Sequence, residues 1–206
     1  MAYVTPITFV ALSTLTAAQL NSIQTNISAL WPYTAAGDIG YTTSASVLAR
    51  LAKGTAGQVL KMNAGASAPE WGGVSVVGSK VIRSSAQSIS DSSFTEISYA
   101  TEYFDTANMF SAGSPTVLTT SVSGIYLVGG KAYFDANAAG YRIASIYQNA
   151  TSIATQQYVP GAVTFSATDM VTLANVTAGQ TFSLKVWQNS GGALNAYGSL
   201  WAVLLG

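Results

Sequence analysis

The chain has 206 residues, 49% of them hydrophobic and only 8% charged, and its eight basic and eight acidic side chains cancel. Soluble domains usually carry roughly 25% charged residues, so this surface must be made polar by Ser, Thr, Asn, Gln and Gly, and a neutral surface of that kind favours obligate assembly. The scatter of Lys53, Lys61, Lys80, Arg83, Lys131, Arg142 and Lys185 excludes a phosphate-neutralising patch, and the lack of any Cys or His removes disulfides, thiol chemistry and His-based catalysis.

No apolar run approaches the ~20 residues that span a bilayer, while aromatic residues at 11% argue against disorder. The opening Met1-Ala2-Tyr3-Val4-Thr5-Pro6 lacks the basic stretch of a secretory signal. The expectation is a protein made in a cytoplasm and not exported through a membrane.

Residues 1–35 hold the one helical pattern. Thr16 and Gln19 form a T-x-x-Q capping box in which each side chain satisfies a free N–H at the helix start, with Leu15 and Leu20 at the hydrophobic-staple positions. Leu20, Ile23, Ile27 and Leu30 then recur at spacings of 3, 4 and 3, an a/d seam. Pro32 stops the helix. A helix of about four turns is marginal alone. Its seam lies either on its own domain or in a short three-stranded bundle with two further copies. The bundle is favoured because no other helical segment offers itself as a partner.

Residues 36–73 are Gly-rich, with short apolar pairs between turn signals: Gly37-Asp38-Ile39-Gly40-Tyr41, Val47-Leu48-Ala49-Arg50-Leu51, Gly54-Thr55-Ala56-Gly57-Gln58-Val59-Leu60 and Pro69-Glu70-Trp71-Gly72. This spacing predicts short strands without an independent core. So short a segment without Cys does not easily stabilise itself, and wrapping around two identical neighbours is one solution.

The run from Gly37 to Gly72 resembles a module of bacteriophage tail-fibre and related virion proteins. It has Gly-Asp-(apolar)-x-Tyr, then Leu-x-x-Leu, then Gly-x-x-Gly-Gln-Val-Leu, then a Pro and a closing Trp, in order. The helix start Thr16-Ala17-Ala18-Gln19-Leu20-Asn21 also often precedes that module. The resemblance implies an appendage on the surface of a phage particle, made in the host cytoplasm and joined to other virion proteins through the N-terminal segment. It leaves open a tail fibre or tail tip against a head fibre or capsid decoration protein.

Residues 74–206 read as all-β. Strand-like runs cover 79–83, 94–99, 116–122, 124–134, 140–148, 151–159, 163–173, 180–189 and 193–205. Tyr126, Val128, Ala132 and Phe134 share one face, as do Phe182, Leu184 and Val186. So many strands without helices predict a sandwich or jelly roll. In the last run Leu200-Trp201-Ala202-Val203-Leu204-Leu205 is apolar on both faces, which demands cover on both. A second molecule is the simplest cover, and a central strand under a long loop is the alternative.

This part resembles the C1q/TNF-like jelly rolls. Tyr103-Phe104-Asp105 with Phe110, Val117-Leu118-Thr119 leading into Ser123-Gly124-Ile125-Tyr126-Leu127-Val128, Val176 to Leu184, and the aromatic-rich Tyr197 to Leu205 carry the likeness. Gln180 stands where the family commonly has Asp, so any role for a carboxylate there is lost. The resemblance implies a tight homotrimer with first and last strands together near the threefold axis, and interface residues Trp201, Val203, Leu204 and Leu205. The expected architecture is thus mainly β: an attachment segment with a trimerising helix (1–35), a Gly-rich stalk (36–73) and a trimeric jelly-roll head (74–206).

Carboxylate pairs are the remaining enzyme chemistry, as in glycan hydrolysis. Glu102 with Asp105 and Asp91 with Glu96 are the near pairs in sequence, too sparse to predict an enzyme, and no D-x-D-x-D loop points to calcium. No metal or cofactor is expected. Gly54-Thr55-Ala56-Gly57-Gln58 lacks the Lys and spacing of a phosphate loop and reads as a turn. Binding suits the composition better. Tyr147, Asn149, Gln157, Tyr158, Gln188 and Asn189 cluster aromatic faces with amides, which fits contact with a host-surface glycan or protein, ordinary turn chemistry being the alternative.

Overall fold

The computed structural model describes residues 14–30, 33–45, 47–74, 76–160 and 166–205. Two compact units result, Met1–Val74 and Ser75–Gly206.

In the first unit, helix α1 (Ala17–Leu30) starts at the capping box as predicted. The Thr16 backbone N–H donates to Gln19 Oε1 at 2.8 Å, and the Gln19 N–H donates back to Thr16 Oγ1 at 3.3 Å. Pro32, read as the stop, lies outside the described residues, as does the attachment segment before Thr14. Two antiparallel hairpins follow, β1 (Ile39–Ser44) with β2 (Val47–Leu51) and β3 (Gln58–Met62) with β4 (Pro69–Gly73).

The motif residues of this unit tie it together. The Asp38 carboxylate accepts from the N–H groups of Thr34 and Ala35, both at 2.8 Å, from Lys53 N–H at 3.1 Å and from Arg50 Nε at 2.7 Å. Those bonds favour the ionised form and hold its pKa far below the ordinary carboxylate range, the Arg50 contact first. Trp71 Nε1 donates to the Ala52 carbonyl at 2.7 Å, linking the second hairpin to the end of the first. Its ring lies so close to Gly54 that a Cβ there would sit 2.7 Å from it.

The second unit is a two-sheet antiparallel sandwich. In chain order its strands are β5 (Gly78–Ile89), β6 (Thr95–Glu96), β7 (Thr101–Asp105), β8 (Val117–Thr119), β9 (Gly124–Phe134), β10 (Arg142–Gln148), β11 (Thr151–Tyr158), β12 (Ser166–Val176), β13 (Thr181–Gln188) and β14 (Leu194–Leu204). One sheet runs β12-β9-β14-β5-β7; the other runs β11-β10-β13-β6, with β8 also on β13. The first and last strands, β5 and β14, are hydrogen-bonded neighbours.

The alternating positions face inward as expected: Tyr126, Val128, Phe134, Phe182, Leu184 and Val186 are fully buried. The Tyr126 hydroxyl donates to Val122 O at 3.0 Å, which satisfies the polar tip of a buried ring.

Two differences from the sequence reading have local causes. β5 runs on past the expected end at Arg83, through Ser84-Ser85-Ala86-Gln87, to Ile89. The strand pairing with β14 is bulged there, and Arg83 spans the bulge by donating to the carbonyls of Ser85 and Ala86, and to that of Ser98. β7 was not expected because both faces of Thr101-Glu102-Tyr103 are exposed; it is an edge strand recruited by β5. Residues 163–165 of the predicted 163–173 strand lie outside the described residues.

Candidate functional site

The distinctive surface of the second unit is the outward face of the β12-β9-β14-β5-β7 sheet. Because side chains alternate along a strand, burying Leu200 and Ala202 turns Trp201 and Val203 outward. Registry then builds rows across three strands. Leu173, Leu127 and Val203 form one; Val171, Gly129 and Trp201 form the next. The Trp201 indole lies flat across Gly129, where a Cβ would be 2.1 Å from the ring, so the glycine is what lets the tryptophan lie down on the sheet. Val171 is 60% exposed and Leu173 62%, with Ile125 beside them also open. This is a contiguous apolar patch of the sort that marks an interaction surface.

Further along the same face the chemistry changes. Lys80, Ile82, Arg83, Lys131, Tyr133 and Tyr197 line an open cavity of about 750 Å³. Lys131 bridges Asp169 at 3.4 Å and lies over the Tyr133 ring at 4.7 Å. Its pKa is raised, by the bond to Tyr133 first and then by the Asp169 charge. Lys80 sits 5.0 Å over the Tyr103 ring. Tyr197 donates to Asp135 at 3.1 Å; burial, then this contact, raises its pKa.

Of the four residues expected at a head interface, Trp201 and Val203 share the apolar face. Leu205, 60% exposed, follows just past the end of β14. Leu204 does not join them. Strand alternation places it on the inner side, where it packs against the sandwich core. The helix seam is open at three of its four positions: Leu20, Ile27 and Leu30 are exposed, and Ile23 is half-buried.

The six expected receptor contacts do not form one site. Tyr147 and Asn149 lie at the β10–β11 turn, whereas Gln157, Tyr158, Gln188 and Asn189 lie at the opposite end of that sheet. Gln188 is a correction: it is fully buried, donating to Ile89 O and Gly192 O and accepting from Ser190, so it reaches no partner. Tyr158 packs on the core. Asn149 accepts from Thr181 N–H at 2.9 Å and Asn189 from Tyr141 N–H at 2.7 Å, which is turn chemistry. Tyr147, under the Lys185 ammonium at 4.6 Å, and Gln157 remain on the outer face.

Of the carboxylates in the near pairs, Glu102 is exposed on β7 and the other three are engaged in structure. Asp105 accepts from the N–H groups of Ala107, Met109 and Phe110 and so shapes the loop after β7. Asp91 accepts from Gly191 N–H, and Glu96 pairs with Lys185 at 3.3 Å. Gln180, where the resembled family has Asp, accepts from Thr177 N–H and from Gln148, stapling a turn. Among the described residues no group of three or more carboxylates is placed to hold a metal ion.

No protein-family model matches the chain, and no curated protein is detectably similar to it in sequence. Among solved structures it is similar to the globular domain of zebrafish complement 1qA protein, with a TM-score of 0.51 at 12% identity over 63% of this chain and 97% of that one. It is similar to Eiger TNF from S. frugiperda at a TM-score of 0.51 and 9% identity, over 64% of this chain and 93% of that one. The fold is therefore that of a C1q/TNF-like jelly roll.

Proposed function

We propose that the chain is a non-enzymatic, homotrimeric appendage of a bacteriophage particle whose jelly-roll head meets the host surface. The observation that carries the assembly is the outward row of Leu173, Leu127 and Val203 beside Val171 and Trp201. Covering such a face at about 25 cal/mol per Å² supplies several kcal/mol per subunit, and the likeness to C1q and TNF folds supports three copies around it. The open helix seam and the half-covered hairpins, with Val59, Leu60 and Met62 all exposed, fit the same assembly. The virion assignment is supported by the order of motif residues from Gly37 to Gly72.

Sedimentation equilibrium and immunogold electron microscopy test the two parts. A mass of three chains, gold at the tail and loss of phage adsorption in the presence of excess free protein are expected. A monomer at micromolar concentration overturns the assembly. Gold over the capsid replaces the tail role with a head fibre or capsid decoration role, and absence of gold from particles overturns the virion assignment.

A further inference from the structure

We infer that the outward face of the β11-β10-β13-β6 sheet carries a binding row for a neutral saccharide, centred on Trp187. The inference deepens the host-attachment reading and rests on it for its biological target. Registry sets Gln157, Ile143 and Trp187 side by side on β11, β10 and β13. Phe94, just before β6, continues the row, because Val186 pairs with Thr95. Phe94 lies 6.5 Å from Trp187 between ring centroids and tilted to it, and Tyr141 stacks on Trp187 at 4.8 Å and 30°. Phe94 is 49% exposed. Three strand spacings of about 4.8 Å make the row about 14 Å long, the length of two or three pyranose rings.

The chemistry of the row selects the ligand. Aromatic faces stack on the C–H faces of sugars, and amides bind their hydroxyls. Gln157 is exposed at one end. Asn189 uses Oδ1 on the Tyr141 N–H, leaving its NH₂ to donate. The adjacent charges cancel in the Lys185–Glu96 pair, so the row presents no net charge to an anionic ligand.

The row is also held in place before any ligand arrives. Arg142 is fully buried and donates to the carbonyls of Asn137, Ala139 and Tyr141, fixing the loop that delivers the tyrosine. Gly140, at φ +68°, is pressed against the Asn189 carbonyl, where a Cβ would come within 2.2 Å. A pre-ordered site loses less entropy on binding. The row lies near Ile89, at the far end of the 12-residue β5 from Gly78, where the chain enters this unit.

Saturation-transfer NMR on the full chain, with maltotriose, chitotriose and a galactose trisaccharide as probes, tests the inference. At least one probe is expected to receive saturation on its ring C–H protons. Trp187→Ala should abolish it. Phe94→Ser, at an exposed edge position that leaves the core intact, should weaken binding about fivefold or more, and Gln157→Ala should weaken it less. No transfer to any probe, or transfer unchanged in Phe94→Ser, overturns the inference. If wild type and Phe94→Ser bind host cells equally and no probe competes, attachment stands on another surface, such as a protein receptor, and this site falls. If probes bind but cells do not, the site stands and the attachment reading falls.

Discussion

Between the sheets of Ser75–Gly206, apolar side chains fill the interior, and every buried hydrophobic among the described residues lies between Val81 and Ala202. In Met1–Val74 the same task falls to a carboxylate gathering three N–H groups and a guanidinium, and to an indole lying on a glycine. A core of the first kind is non-directional and stable by area. Staples of the second kind fix geometry but remove little apolar surface from water, so their stability is sensitive to pH and to what covers Val59, Leu60 and Met62. The second unit thus has its own core, whereas the first would draw on copies of the chain for cover in the proposed assembly.

The largest effect expected is in the sandwich. Phe182→Ala removes a fully buried ring and should lower stability by about 3–5 kcal/mol, read from a urea transition followed by tryptophan fluorescence. A loss under about 1 kcal/mol would mean that the space collapses freely and that the core is not close-packed. Next come two neighbours on β14 whose fates should part. Val203→Asp places one carboxylate per subunit on the apolar outer face, and sedimentation should report folded monomers with association weakened about 100-fold or more. Leu204→Asp pushes a charge toward the core and should destabilise the fold itself by about 2 kcal/mol or more. If Val203→Asp unfolds the subunit while Leu204→Asp only dissociates it, the two faces of β14 have been assigned the wrong way round.

That pair also shows what the sequence makes legible. The double-sided apolar run Leu200–Leu205 is visible in the sequence, and so is the need for cover. Which residues face out is not, because one register step exchanges the faces, and the extent of the patch depends on β12 and β9, far away in sequence. The capping box and strands such as Gly124–Phe134 were readable because their signals are local. Gln188 misled because a polar residue between Trp187 and Asn189 reads as a surface loop, whereas its amide serves three backbone groups, the carbonyls of Ile89 and Gly192 and the N–H of Ser190. The aromatic row was invisible as a site: Phe94, Tyr141 and Trp187 lie far apart along the chain and meet only through pairing. The Asp38, Gly54 and Trp71 pattern was recognisable, but its reason, a set of staples, needed coordinates.

The staple on Asp38 predicts a smaller effect with a definite sign. Its pKa falls on folding from an ordinary 3.8 to far below it. A carboxyl depressed in this way contributes stability that is fully present above the unfolded value and is lost as pH falls through the folded one. Amide signals of Thr34, Ala35 and Lys53 should therefore stay unchanged on acidification through pH 4 and shift only in stronger acid. Asp38→Asn should loosen these amides to hydrogen exchange at neutral pH and remove the acid dependence. Titration of the wild-type signals near 3.8 would show that the carboxylate is not held.

The smallest effect separates the two covers left open for the helix seam. Thr16→Ala deletes the Oγ1 that accepts the Gln19 N–H, a loss of about 1 kcal/mol at a helix start. A helix of 14 residues is marginal by itself, so amides from Leu20 to Ile27 should exchange roughly fivefold faster in the variant. The comparison that matters is with concentration. If three helices cover one another along Leu20, Ile23, Ile27 and Leu30, protection must rise with protein concentration in wild type, and the variant must need more protein to reach the same protection, because folding of the helix is then linked to association. If protection is the same in dilute and concentrated samples while the head still dissociates on dilution, the helix draws its stability from its own subunit, and the bundle is ruled out without disturbing the assembly of the jelly roll.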